Sequence, residues 1–159
     1  MADMLSDGQI RVSFVPTIAN TAAPTTAELN AGTDLSCLIM GDGLDISGDE
    51  GVVSAPKLCE TTVSEQPGRA KTTVKLTCVR KTVVGEDIAW TTLQRGLQGY
   101  LVVRRGLAYA TAWTAAQKVE VYPGTFGKRM PQKPEQNGVE KFDSQFYNSA
   151  PENLDAVVA

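Results

Sequence analysis

The 159-residue chain contains no histidine. That absence removes the Ser-His-Asp and Cys-His catalytic arrangements, the usual proton carrier near neutral pH and the commonest zinc ligand. Carboxylate or lysine chemistry remains open, but no nucleophile with a neighbouring base can be nominated. Cysteine is scarce as well. Cys37, Cys59 and Cys78 form no CxxC pair and read as reduced thiols serving as small hydrophobes. No stretch reaches the roughly 18 apolar residues of a membrane-spanning helix, and the start has no basic segment followed by an apolar one, so no signal peptide is expected. The chain is read as soluble and made in the cytoplasm.

What is present suits one compact domain: 42% hydrophobic residues, with 15 basic against 18 acidic side chains. A mildly acidic balance argues against a dedicated DNA-binding module, whose footprint is strongly basic. Charge is divided along the chain, however. Residues 1–70 carry 10 acids and 3 bases, residues 71–159 carry 8 and 12, an asymmetry that suits head-to-tail contacts between copies.

Strict alternation marks strands at residues 10–15, with Ile10, Val12 and Phe14 on one side, and at 72–80, with Val74, Leu76 and Cys78 inward and Thr73, Lys75 and Thr77 outward. Residues 34–40 are a further strand candidate, with Leu35, Cys37 and Ile39 on one face. The run at 100–104 is almost continuously apolar, as expected where both faces are covered. Residues 118–122 and 139–147 complete the set, the latter with Phe142 and Phe146 opposite Lys141, Asp143 and Gln145. Thr25-Thr-Ala-Glu28 has capping-box spacing before one or two helical turns. Residues 86–95 are expected to form the main helix: Glu86 and Asp87 in its first turn, Arg95 in its last, Gly96 past its end, and Ala89 and Leu93 on one face with Trp90 beside them. Residues 41–70, rich in Gly, Asp, Ser and Pro, read as a long projecting loop or a loose pair of short strands. Residues 1–9 form an N-terminal arm and 149–159 a C-terminal tail. The tally predicts a single β-rich α+β domain, an antiparallel β-sandwich or partly open barrel with one packed α-helix and a long projecting loop. Its predicted core is Val74, Leu76, Cys78, Trp90, Leu93, Leu101, Val103, Val119, Val121, Phe142 and Phe146.

Candidate chemical motifs fail on spacing. Ser54-Ala-Pro-Lys57 resembles a Ser-x-x-Lys acyl-enzyme motif, but Pro56 disrupts the helical turn it needs and its companion motifs are missing. Asp42, Asp45, Asp49 and Glu50 are not spaced as an EF-hand loop. Gly96-Leu-Gln-Gly99 lacks the preceding strand of a dinucleotide fingerprint. No metal or cofactor is expected. The basic pairs Arg80-Lys81, Arg104-Arg105 and Lys128-Arg129 read as solubilising strand ends or salt-bridge donors. Trp90, Tyr100, Tyr109, Trp113 and Tyr122 read as core or interface anchors.

Several short pieces carry a family resemblance: Ala27-Glu-Leu-Asn-Ala-Gly-Thr-Asp-Leu35, Pro67-Gly-Arg69, Ala89-Trp90 with Leu93, Arg95-Gly96, Gly99-Tyr-Leu-Val-Val-Arg-Arg-Gly106, Lys118-Val-Glu-Val-Tyr-Pro123 and the Ala-Val-Val-Ala159 end. Their order resembles the tail tube (major tail) proteins of long non-contractile-tailed phages, particularly a group from phages of actinobacteria. The resemblance implies a virion protein, not an enzyme, assembled in the host cytoplasm into stacked, hexameric rings that form a tube for DNA. Its partners would be further copies, the tape measure, tail terminator and distal tail proteins, and double-stranded DNA in passage. Long loop and termini would bridge adjacent rings. On this reading Asp42, Asp45, Asp49, Glu50, Arg69, Arg80, Arg104 and Arg105 are candidates for contacts between copies. Thr73, Lys75, Thr77, Lys141, Asp143 and Gln145 are candidates for the lumen wall. A head–tail connector or terminator ring is the nearest alternative. A carbohydrate- or receptor-binding β-domain would instead display Trp90, Tyr109 and Trp113 together on one concave face.

Overall fold

The alternating segments pair into one nine-stranded antiparallel sheet in the computed structural model, which describes residues 1–159. In chain order the elements are β1 (Ile10–Val15), α1 (Thr26–Asn30), β2 (Thr33–Asp34), β3 (Ile39–Ser54), β4 (Glu65–Val79), α2 (Ile88–Thr92), β5 (Gln98–Arg105), β6 (Lys118–Phe126), β7 (Met130–Pro131), β8 (Lys141–Asn148) and β9 (Asn153–Val157). The sheet runs β2-β1-β5-β6-β8-β4-β3, with β7 added to β8 and β9 to β6.

Strand β6 is where the sheet turns. One edge pairs with β5, while the other is shared: its first half pairs with β9 and only Gly124 to Phe126 pairs with β8. Pro123 sits at the changeover, where a residue with no N–H leaves no ladder bond unmade; its carbonyl accepts from Ser149 N at 3.1 Å. The next residue must be glycine, because a Cβ on Gly124 would lie 2.2 Å from the Tyr147 carbonyl oxygen. Beyond this crossing the sheet folds over itself. Val12 and Phe14 of β1, Leu101 and Val103 of β5, and Tyr122 and Phe126 of β6 then face Val74, Leu76 and Cys78 of β4 and Phe142 and Phe146 of β8 across one core.

The opposite face of β1-β5-β6 is covered too. Val15, Val102, Val119 and Val121 pack there against Leu29 of α1, Ile18, Trp113 and, from the chain end, Ala156 and Val158. This double coverage explains the continuous apolar run of β5: successive residues serve different cores. Ten of the eleven predicted core residues are buried; Trp90 is half-buried at the margin of the first cluster.

Four local expectations are corrected. The segment 35–38, between β2 and β3, is a turn, not a strand: Asp34 accepts from Ser36 N and Ser36 Oγ, and the Leu35 carbonyl receives the N–H groups of Leu38 and Ile39. This Asx turn buries Leu35 and leaves Cys37 exposed. The projection at 41–70 is a long β-hairpin built from β3 and β4 rather than a loop, with 11 paired positions from Ile39↔Cys78 to Ser54↔Glu65. The main helix is only five residues, because Asp87 turns its carboxylate to Arg80 Nε (2.9 Å) and Lys81 N (3.1 Å) rather than capping, and two threonines end the turn. Residues 149–159 are not a free tail. Strand β9 lies along β6, and Val157 N and Ala159 N donate to the carbonyls of Ala22 and Pro24.

Candidate assembly surfaces

The hairpin is the most exposed part of the molecule. Every residue from 47 to 67 is exposed, including Val52, Val53, Leu58 and Val63. Register places Asp45 opposite Lys75 and Asp49 opposite Lys71, while Glu50 lies opposite Ala70. Asp42 falls in the register shift between Ile39 and Leu44, and Arg69 is exposed on β4. The four acids are thus strung along the outermost strand of the sheet. No group of three or more His, Cys, Asp or Glu side chains converges as a metal site.

Thr73, Lys75 and Thr77 of β4 share one face with Lys141, Asp143 and Gln145 of β8, set by the pairs Lys75↔Gln145, Thr77↔Asp143 and Val79↔Lys141. Asp143 organises this face. It accepts 2.7 Å hydrogen bonds from Thr77 Oγ1 and Gln132 Nε2 and lies 3.4 Å from Lys75 Nζ. Lys141 Nζ in turn lies 3.3 Å from Glu135. Partial burial is the largest single influence on Asp143 and opposes its ionisation. The two hydrogen bonds and Lys75 together outweigh it, holding the carboxyl below its ordinary pKa. A depressed folded-state value contributes stability above the unfolded pKa of about 4, lost as pH falls through the folded value. Asp143→Asn is therefore expected to unfold more easily than the parent at neutral pH. The gap should close below pH ~4, which urea unfolding across pH checks.

Arg104 and Arg105 divide by strand parity. Arg105 points out and pairs with Glu120 at 3.0 Å. Arg104 is fully buried, which removes it from the candidates for contacts between copies. Its guanidinium donates to the carbonyls of Thr111 (2.8 Å) and Ala108 (2.9 Å) and to Gln117 Oε1 (3.2 Å), and lies 4.9 Å from the Trp113 ring centre. Arg11 also flanks Trp113, at 4.8 Å, and donates to Thr111 O. Burial, then the neighbouring Arg11 charge, push the Arg104 pKa down. Sequence reading missed this cluster; two adjacent arginines in a doubly covered strand were the available signal, since the pleat must send one inward.

A second cluster forms at α2. The Trp90 ring meets Phe142 edge-on at 5.1 Å and is flanked by the guanidinium groups of Arg80 (3.7 Å) and Arg129 (4.1 Å). Arg80 is also held by Asp87, so it serves its own chain. Lys128 and Arg95 line the groove beside Trp90. Two basic pairs far apart in sequence thus meet at one aromatic ring, which spacing alone could not reveal. Trp90, Tyr109 and Trp113 do not share a concave face: Trp113 is buried in the second core and Tyr109 lies by the seam between β1 and β3.

That seam is an open groove of about 300 Å³ walled by Ile10, Val12, Ile39 and Leu44. Cys37 is exposed there and Cys59 at the hairpin end, whereas Cys78 is buried. Burial, with the nearby Asp143 charge, pushes the Cys78 thiol up to about 12. A thiol-specific reagent should accordingly modify two cysteines of the unassembled native protein rapidly and the third only after unfolding.

A long unpaired sheet edge at β3, a projecting hairpin and charged clusters around anchored aromatics define a class: a structural β-domain that acts through contacts with other protein surfaces. The chain belongs to the phage tail tube protein family, whose model matches residues 1–159. The match is to that family and does not single out the actinobacterial group. Among solved structures, a chain from the cryo-EM structure of the anti-feeding prophage baseplate, six-fold symmetrised, is similar in fold. The TM-score is 0.60 at 9% identity, over 96% of each chain. No curated protein matches the sequence significantly. The protein is a structural component of a phage tail and, as such, of the virion.

Proposed function

We propose that the chain is the tube subunit of a long non-contractile phage tail, closing into hexameric rings that stack into a conduit for DNA. The observation that carries this reading is the state of the sheet's two ends. Strand β3 pairs only on its inner side along its whole length, while the outer edge of β1 is covered from Val12 to Phe14 by β2 and the turn after it, leaving only its start open. Open edges of this kind are a liability for an isolated domain, and pairing between neighbours in a closed ring removes it. The six-fold symmetrised baseplate that contains the similar chain favours six copies.

The polar β4–β8 face lines the lumen on this reading. Its lysines do not contradict a wall over which DNA slides, because Lys75 and Lys141 each lie beside an acid of their own chain. A wall neutralised in this way gives phosphates little to hold. The subunit has no catalytic role; its partners are further copies, the tape measure, terminator and distal tail proteins, and DNA in transit, and it assembles in the host cytoplasm.

Negative-stain electron microscopy of the purified protein over a concentration series tests the reading. Hollow tubes of regular axial repeat are the expected result. Isolated rings that never stack would replace it with a connector or terminator, and a monomer at every concentration, even with an initiating tail complex added, would remove it.

A further inference from the structure

Lys75 and Lys141 on the polar β4–β8 face each have an acid beside them, but Lys128 has none. It lines that face together with Lys75, Asp143 and Gln145, and it also lines the groove beside Trp90 together with Arg95 and Arg129. The pairing of Met130 with Asp143 puts it there, since β7 begins two residues later along the edge of β8. None of Arg95, Lys128 and Arg129 forms an ion pair within the chain, and no carboxylate lines their groove. Three cations brought together without a counter-charge repel one another, and an anion among them relieves that repulsion.

The groove also indicates which anion. Two guanidinium groups within 3.7 and 4.1 Å of one ring centre leave no room to share a face, so Arg80 and Arg129 cover Trp90 on both sides. The indole is therefore closed to stacking by a base or by a partner's side chain. Apart from Trp90 the lining is Gln94, Arg95, Lys128, Arg129 and Pro131, with no apolar pocket for a protein anchor and a density of charge that protein interface cores avoid. What remains is electrostatic contact without sequence information, the kind made with a phosphate backbone. Such contacts are salt-labile and let the partners slide.

We propose that Arg95, Lys128 and Arg129 form a phosphate-binding site for the backbone of double-stranded DNA, one per copy, at the margin of the β4–β8 face. This inference rests on the reading of that face as the lumen wall and adds a point of sliding contact to a wall otherwise neutralised.

Fluorescence anisotropy of a short labelled DNA duplex, titrated with the full-length protein over a salt series, tests it. Binding should be independent of sequence and strongest at low salt. Arg95→Glu with Lys128→Glu should weaken it by about tenfold or more and lower the slope of log affinity against log salt by about two. Lys57→Glu with Lys118→Glu makes the same change in net charge at exposed positions outside the groove and should have a clearly smaller effect. Equal losses in the two double variants would reduce the binding to net charge and overturn the site. Tighter binding of polyglutamate than of the duplex would also overturn it, giving the groove to the carboxylates of a protein partner. Hollow tubes by microscopy with no duplex binding would remove the site and leave the tube reading standing. Duplex binding lost on the groove substitutions, in a protein that forms no tubes, would keep the site and remove that reading.

Discussion

Replacing Arg104 with alanine is expected to destabilise the domain by roughly 2–3 kcal/mol. The side chain is wholly buried, yet no carboxylate lies against it. Instead it spends its donors on the Thr111 and Ala108 carbonyls and the Gln117 amide oxygen. Alanine would remove a donor from the Ala108 carbonyl and the Gln117 amide oxygen, leave Thr111 O with Arg11 alone, and open a void beside Trp113. The loop it organises also holds the N-terminal arm, through Tyr109 N to Gly8 O at 2.9 Å. Urea unfolding should show the loss in the midpoint, and hydrogen exchange should show residues 106–113 opening first. Lysine keeps the charge but not the planar fork and should recover only part of the stability. A loss below about 1 kcal/mol would mean that the loop is held by other contacts.

Shortening the hairpin should have the opposite profile. Glu50 and Ala70 are register partners, so replacing residues 51–69 with Asn-Gly closes β3 and β4 through a two-residue turn that suits the strand twist. All the removed residues but one are exposed, the exception being half-buried Gly68, and both cores are untouched. Unfolding stability should stay within about 0.5 kcal/mol of the parent, as for exposed positions in general. Assembly into sedimenting polymers should be lost. Polymers of normal yield from the shortened chain would show that the projection is dispensable and would remove its bridging role.

The contrast between these two regions explains what could be read from the sequence. Strand β1, the inner half of β4, and β5, β6 and β8 each bury one or both faces, so their residues alternate or run apolar. The hydrophobic core was legible for that reason. The outer half of the β3–β4 hairpin buries neither face within its own chain. Selection for packing leaves no period there, and Gly, Asp, Ser and Pro made a strand look like a loop. Strand β9 was hidden differently. Ala156 and Val158 do face inward, but the segment is short and its register comes from β6, more than 30 residues earlier. At α2 the composition favoured a longer helix, but a tertiary demand prevailed: Asp87 is more useful to Arg80 than as a cap. Among site residues, β4 and β8 placed their six polar candidates on one face because parity in a strand is local. Arg104 went the other way because two adjacent arginines read alike until both faces of β5 are known to be covered.

The most direct test of the central claim, that open sheet ends close between copies around a polar lumen, is a cryo-EM reconstruction of the assembled tube. The account predicts the outer edge of β3 hydrogen-bonded to a neighbouring copy and the face bearing Thr73, Lys75, Thr77, Lys141, Asp143 and Gln145 turned to the central channel. A tube in which β3 keeps a solvent-facing edge, or in which that polar face lies on the outside, would contradict it.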